Sequence, residues 1–404
     1  MKSKLFSALF VALTCLLSLH SFGQTRYQDS VFASYTLTTV TYSTVFAQQM
    51  DIYRPVGDTA THRPVVLLAH GGSFYSGTRS DDNTITQLCS DLAHKGYVTV
   101  SIDYRLIDNF IELTNADSAI TAVLQAVSDG KAAVRYLYEY ADSFGLDTSN
   151  IFVGGNSAGG VLFMQYAYID SQSELTAPVL SQLPNIGGTL DGNSGNPGYP
   201  TNIKGVISLA GGLNQVSWMG YCSKPIVMAQ GTADNVVPYT CGNAESGAVP
   251  LTLCGLGSLA PSIVANTPYY DTMTFAGAGH VPWATSAPDF YMVDTLITGF
   301  LYKAINTSST APCTGFPLGV QNIANATTIS VYPNPASSEL NIESNARLNN
   351  ITMTDERGRT VVSVNDITTI SYQLNTSGLS AGIYFVRIND IEGQLPVVKK
   401  VVIE

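Results

Sequence analysis

The sequence predicts an α/β fold with a doubly wound, mostly parallel sheet, followed by a small all-β sandwich. One observation is a series of buried-strand segments, at residues 64–70, 97–104 and 151–153, the first of them a continuous apolar run of the kind that is covered on both faces. A second is that segments of helical period alternate with these runs, which places helices on both sides of one sheet. A third is a change of composition after Asn306, where a Thr-Ser-Ser-Thr-Ala-Pro stretch ends the helical pattern and only short strands between turn residues follow. With 404 residues, 45% of them apolar, the chain has room for two globular domains.

In chain order, Met1-Lys2-Ser3-Lys4, an apolar run over 5–19 and Ser21-Phe22-Gly23-Gln24 form the three parts of a secretory signal peptide, assigned to residues 1–23. That run is too short for a stable membrane span, and no later segment has about twenty uninterrupted apolar residues. Residues 24–306 are assigned to the α/β domain, 307–326 to a linker and 327–404 to the sandwich. Two antiparallel strands are expected at 36–44 and 48–54. The buried strand at 64–70 follows, then a helix over 83–95 stopped by Gly96, and the strand at 97–104. Val134, Leu137, Tyr138 and Ala141 keep the period of a second helix, which Gly145 ends. The strand at 151–153 leads through a turn into an apolar helix over 161–168. Strands at 203–209, 225–229 and 273–275 and a closing helix at 290–305 complete the pattern. Two insertions, 171–201 and 239–266, are rich in Gly, Ser, Asn and Pro. Both fall after sheet strands, over the carboxyl edge where α/β proteins bind ligands, so both are candidate pocket walls.

The stretch with chemical content is Gly155-Asn156-Ser157-Ala158-Gly159, set between a β-rich run and a helix. Small residues two before and two after a serine permit a sharp strand-to-helix turn that exposes the hydroxyl, and the helix N-terminus favours developing negative charge there. A serine needs a base. Of the histidines beyond the leader, His62 lies in a polar loop, His94 ends a surface helix, and His70 precedes Gly71-Gly72, where the backbone is better placed than the ring. His280, in a loop after the last apolar strand, is left as the base. Asp234, in the turn after the strand at 225–229, is placed to orient it; a plain loop histidine and an Asx-turn aspartate are the bland alternatives. A histidine base must be neutral, so activity is expected to fall on acidification. The chain has no H-E-x-x-H, paired C-x-x-C or Walker-type loop, so no metal or cofactor is expected. A net charge of −11 without a Lys/Arg run excludes a nucleic-acid partner.

Together, His70-Gly-Gly-Ser-Phe74, Ser101-Ile-Asp-Tyr-Arg105, the Ser157 turn, Gly231-Thr-Ala-Asp234 and Gly277-Ala-Gly-His280 resemble the α/β-hydrolase carboxylesterases that carry an HGG oxyanion loop, over residues 35–306. The resemblance implies acyl transfer, with Ser157 attacking, His280 relaying its proton, Asp234 orienting the ring, and N–H groups of Gly72, Ala158 and Gly71 receiving the oxyanion. Ser73 stands where relatives often have a third glycine, and Gln230 where they often have histidine; neither is expected to touch the triad. A serine peptidase of prolyl-oligopeptidase type and a non-catalytic adhesion protein are the competing readings. The tail motifs Val331-Tyr-Pro-Asn-Pro335, Gly378-Leu-Ser-Ala-Gly-Ile-Tyr-Phe-Val386 and Lys399-Lys-Val-Val-Ile-Glu404 look like a type IX secretion sorting domain. That implies export through the periplasm of a Gram-negative bacterium, with release or attachment at the surface and the secretion machinery as partner. The β-pattern alone says only sandwich, which could equally bind carbohydrate. Without Cys15 in the leader, Cys89, Cys222, Cys241, Cys254 and Cys313 make an odd set with at least one unpaired. Cys241 and Cys254 flank one insertion of an exported chain and are expected to pair.

Overall fold

The computed structural model describes residues 25–220, 223–306, 329–344, 347–355, 360–390 and 397–404. The expected leader and linker, and with them Cys15, Cys222 and Cys313, lie outside these residues. The chain divides into two units, Met1–Thr314 and Gly315–Glu404.

The first unit is built on one eight-stranded sheet. Strands β1 (Tyr35–Ser43) and β2 (Gln48–Pro55) pair antiparallel, and β2 runs antiparallel to β4 (Val98–Ile102). From there β3 (Arg63–Ala69), β5 (Leu146–Asn156), β6 (Gly205–Leu209), β7 (Ile226–Gly231) and β10 (Tyr270–Phe275) are all parallel, in the order β1-β2-β4-β3-β5-β6-β7-β10. The central strands read as continuous apolar runs because each face of the sheet is covered. Ile151 and Val153 of β5 point into the core that contains Val65, Leu67 and the helices α2 (Ala116–Glu139) and α4 (Ala158–Tyr168), the one-turn α3 (Ala141–Phe144) coming between them in the chain. Phe152, between them, joins Val66 and Leu68 in the core under α1 (Asn83–His94) and α7 (Ala287–Asn306). Each such side chain contributes about 1.5–3 kcal/mol by leaving water, so the alternation of the two cores along one strand holds both helix layers to the sheet.

Strand order also decides where a site can form. From β3 the chain moves outward to β4, then crosses back over β3 to β5. The loops leaving the carboxyl ends of β3 and β5 therefore diverge and leave a crevice at this reversal. The loop after β3 carries His70-Gly71-Gly72, and the turn after β5 carries Ser157.

The insertion at 171–201 holds the short helix α5 (Ala177–Gln182) and is pinned to α2 by a buried network. Arg105 pairs with Asp129 at 2.9 Å, Ser194 Oγ donates to Asp129 at 2.5 Å, and Arg135 Nε donates to the Gly195 carbonyl at 3.0 Å. Its position after a strand predicts a pocket wall, but it lines neither of the Ser157 pockets, because these buried charges fix it against α2 instead. The insertion at 239–266 is not irregular: it forms a hairpin, β8 (Cys241–Ala244) with β9 (Val249–Cys254), and a helix, α6 (Leu256–Asn266).

The second unit is all-β and antiparallel. β11 (Ile329–Tyr332), β12 (Glu339–Ser344) and β15 (Ser371–Asn375) form one sheet, and β14 (Thr360–Val364), β13 (Leu348–Asp355), β16 (Gly382–Asp390) and β17 (Val397–Ile403) form another. Alternate residues such as Leu340 and Ile342, Ile351 and Met353, Val386 and Ile388 are buried in one core.

Candidate active site

The turn after β5 shows why its glycines are required. Ser157 has φ 53° and ψ −116°, a strained backbone for a side-chain-bearing residue, and its N–H donates to the Leu209 carbonyl at 2.7 Å. A Cβ on Gly155 would stand 2.4 Å from the Ala69 carbonyl oxygen, and one on Gly159 would stand 2.1 Å from the same atom. Only glycine lets the turn pass the end of β3 this closely.

β7 and β10 are parallel neighbours with Gly231 opposite Phe275, so the loops that follow them emerge side by side. This brings Asp234 to His280: Asp234 Oδ2 and His280 Nδ1 are 2.8 Å apart. On its other side, His280 Nε2 lies 2.7 Å from Ser157 Oγ. The three side chains thus form one hydrogen-bonded chain across three strand ends. Asp234 Oδ1 accepts from the Val236 and Val237 N–H groups at 3.0 and 3.1 Å, which sets the carboxylate in its turn. Gln230 also reaches this group, contrary to expectation. Its Nε2 donates to Asp234 Oδ2 at 3.3 Å and to the Val237 carbonyl at 2.8 Å, while its Oε1 accepts from Leu256 N at 2.7 Å. A long amide can thereby link the acid loop to α6, a contact no local pattern announces.

Of the other described histidines, His62 is exposed, while His94 and His70 have structural partners. His94 Nδ1 faces the Ser90 carbonyl at 2.8 Å. His70 is buried, stacks on Tyr104 at 4.3 Å, and places Nδ1 2.6 Å from the Gly71 carbonyl. Burial lowers the His70 pKa, the Gly71 bond opposing this only in part, so the ring is neutral and Nδ1–H donates.

The loop after β3 requires a correction. Gly71 N–H, expected to face an oxyanion, donates instead to Asp82 Oδ2 at 2.9 Å. Asp82 Oδ1 caps α1 by accepting from Thr84 N at 3.0 Å and Ile85 N at 3.3 Å, and Oδ2 also accepts from Asn156 Nδ2 at 3.0 Å. Asn156 Oδ1 in turn accepts from Trp283 Nε1 at 3.1 Å. One connected set of bonds therefore ties the β3 loop, the Ser157 turn and the His280 loop together. The N–H groups of Gly72, Ser73 and Ala158 have no acceptor among the described residues.

Two spaces meet at Ser157. A narrow apolar pocket of about 30 Å³ lies behind it, lined by Phe74, Ala158, Val161, Val237, Leu251 and Leu253 among others. An open polar cleft of about 530 Å³ lies in front, lined by His70, Gly72, Asp82 and His280. The β8–β9 hairpin supplies one wall of the pocket. Its alternation turns Val249, Leu251 and Leu253 inward, and Cys241 and Cys254 form a disulfide at its base with an S–S distance of 2.01 Å. Cys89, on the buried face of α1, is a free thiol whose pKa burial raises strongly. Among the described residues no cluster of His, Cys, Asp and Glu has metal-holding geometry, and no helix is long and apolar enough to cross a membrane.

Residues 50–218 match the BD-FAE family, of α/β-hydrolase type, and residues 330–404 match the secretion system C-terminal sorting domain. An ethyl acetate hydrolase of Pseudomonas putida is 32% identical over 132 residues, 32% of this chain and 37% of that protein. An AB hydrolase superfamily protein of Schizosaccharomyces pombe is 33% identical over 111 residues, 27% of this chain and 28% of the relative. The chain thus spans well under half the length of these relatives. Esterase 2 of Thermogutta terrifontis, phosphorylated by paraoxon, overlaps 70% of this chain and 98% of its own at 18% identity and a TM-score of 0.49.

Proposed function

We propose that this chain, an α/β-hydrolase-type domain followed by a type IX secretion sorting domain, is an exported serine carboxylesterase. The observation that carries this reading is the hydrogen-bonded chain from Ser157 Oγ through His280 to Asp234, at 2.7 and 2.8 Å. In the mechanism, His280 Nε2 takes the Ser157 proton as Oγ attacks the ester carbonyl, and Asp234 keeps the other ring nitrogen protonated. The N–H groups of Ala158, Gly72 and Ser73 receive the oxyanion, with Ser73 taking the place first expected of Gly71; loss of one such donor typically costs about 3 kcal/mol. His280 then returns the proton to the departing alcohol, and water repeats the cycle on the acyl-enzyme.

The two spaces divide the substrate. The alcohol leaves on the side where His280 can protonate it, so it lies in the open polar cleft, which His280 lines. The acyl group occupies the apolar pocket, whose narrowness favours a short chain. Short acyl esters of bulky alcohols fit this asymmetry. The relatives' names, an ethyl acetate hydrolase among them, agree with ester chemistry.

The test is hydrolysis of p-nitrophenyl acetate by the full-length protein. Ser157→Ala is expected to lower kcat by about 10⁴-fold or more and to abolish labelling by a fluorophosphonate. Esters left untouched while peptide anilides are cleaved would replace the esterase reading by a peptidase one, and an unlabelled Ser157 would refute both.

A further inference from the structure

Ser73, Ser157, Val236 and Glu245 line both the apolar pocket and the polar cleft, so they form the partition between them. Two of the four are fixed by the site itself. Ser157 sits in the β5–α4 turn, and Val236 is held by its N–H bond to Asp234 at 3.0 Å. The other two come from opposite sides, Ser73 from the loop after β3 and Glu245 from the tip of the β8–β9 hairpin. They are bonded to one another, Ser73 Oγ donating to Glu245 Oε1 across 172 residues of sequence.

Both partners are presented on backbone that L residues rarely adopt. Ser73 and Phe74 have φ of 50° and 61°, and Glu245 and Ser246 have φ of 51° and 56°. Such conformations persist where surrounding contacts over-determine them. The hairpin tip is docked on the acid loop, Glu245 N donating to the Val236 carbonyl at 2.8 Å and Ser246 N to the Asn235 carbonyl at 2.6 Å. Its base is closed by the Cys241–Cys254 disulfide. Neither loop can therefore retreat far while the side-chain bond is made.

We propose that the Ser73–Glu245 contact is a latch that shuts the acyl pocket from the cleft and sets the upper size of the acyl group. The latch rests on the esterase reading and makes Glu245 a specificity-determining residue. With the contact broken, pocket and cleft merge along the partition and a longer chain can lie through the opening.

The experiment compares kcat/KM for p-nitrophenyl acetate, butyrate and hexanoate in the full-length wild type, Glu245→Ala, Ser73→Ala, the double variant and Glu245→Gln. Wild type is expected to prefer acetate. The butyrate-to-acetate ratio is expected to rise at least about tenfold in each alanine variant, and no further in the double variant, because both remove one shared contact. Glu245→Gln keeps an acceptor for Ser73 Oγ and is expected to retain the acetate preference. Ser73→Ala removes only a hydroxyl and reads the latch even if Glu245→Ala fails to fold. Unchanged ratios in alanine variants that still hydrolyse acetate overturn the latch, as do independent effects that multiply in the double variant or a Glu245→Gln shift equal to that of alanine. A wild type inert toward every ester overturns the esterase reading, and the latch with it.

Discussion

Asp82 illustrates how much of the site depends on a residue that touches none of the three partners in the Ser157–His280–Asp234 chain. Its carboxylate holds Gly71 N–H, Asn156 Nδ2 and the first turn of α1 at once. With Gly71 N–H committed to Asp82, the N–H groups of Gly72 and Ser73 are the loop donors that the proposed mechanism assigns to the oxyanion. Asp82→Asn keeps an oxygen to cap α1 but loses the second acceptor, leaving the half-buried Gly71 N–H without its bond at a cost of about 0.5–1.5 kcal/mol. We expect kcat on p-nitrophenyl acetate to fall by about 10–100-fold with KM changed little, because a small displacement of the loop misplaces the donors. Steady-state kinetics alongside a thermal melt check this. A variant with lowered Tm and unaltered kcat at 25 °C would reduce Asp82 to a helix cap.

At the scale of an element, the β8–β9 hairpin does what the insertion pattern concealed. Val249, Leu251 and Leu253 alternate inward, with exposed Pro250 and Thr252 between them, so a two-residue period was present in a stretch whose Gly, Ser and Pro content suggested an irregular loop. The disulfide closes a loop with a sequence separation of 13, and in the chain-entropy model a loop of this size is stabilised by about 3 kcal/mol. The pair Cys241→Ser and Cys254→Ser is expected to lower the Tm of the protein by several degrees, measured by calorimetry with the wild type as reference. An unshifted Tm would mean that apolar packing alone anchors the hairpin.

On the scale of the whole molecule, each of the two units closes a hydrophobic core of its own, and Ser157, Asp234 and His280 all lie in the first. The matched sorting domain at 330–404 points to export by the type IX route, secreted or at the cell surface. We therefore expect a protein ending at Asn306 to fold and to hydrolyse soluble esters within about twofold of the full chain, while its native host no longer carries it across the outer membrane. Fractionation of the host and kinetics on the purified shortened protein test the two halves of this claim. Insolubility of the shortened chain would place the domain boundary elsewhere, and loss of activity confined to an insoluble ester would point to substrate binding by the sandwich.

The sequence by itself determined the alternation that builds a doubly wound sheet, since runs such as 65–69 and 151–153 are apolar at every position only where both faces are covered. It also determined the glycine spacing at Ser157 and the loops that carry Asp234 and His280, because these are consequences of local backbone geometry and of position after a strand. What it could not show were the partners chosen across the fold. Gly71 was legible as a close-approach glycine but not as a donor to Asp82, and Gln230 was legible as a departure but not as a support for Asp234. Glu245 carried no signal at all, since a carboxylate in a turn is ordinary and its meeting with Ser73 depends on where β3 and β9 come to rest. Periodicity and turn chemistry act over a few residues, whereas these hydrogen bonds are decided by strand order and register, which only the assembled sheet specifies.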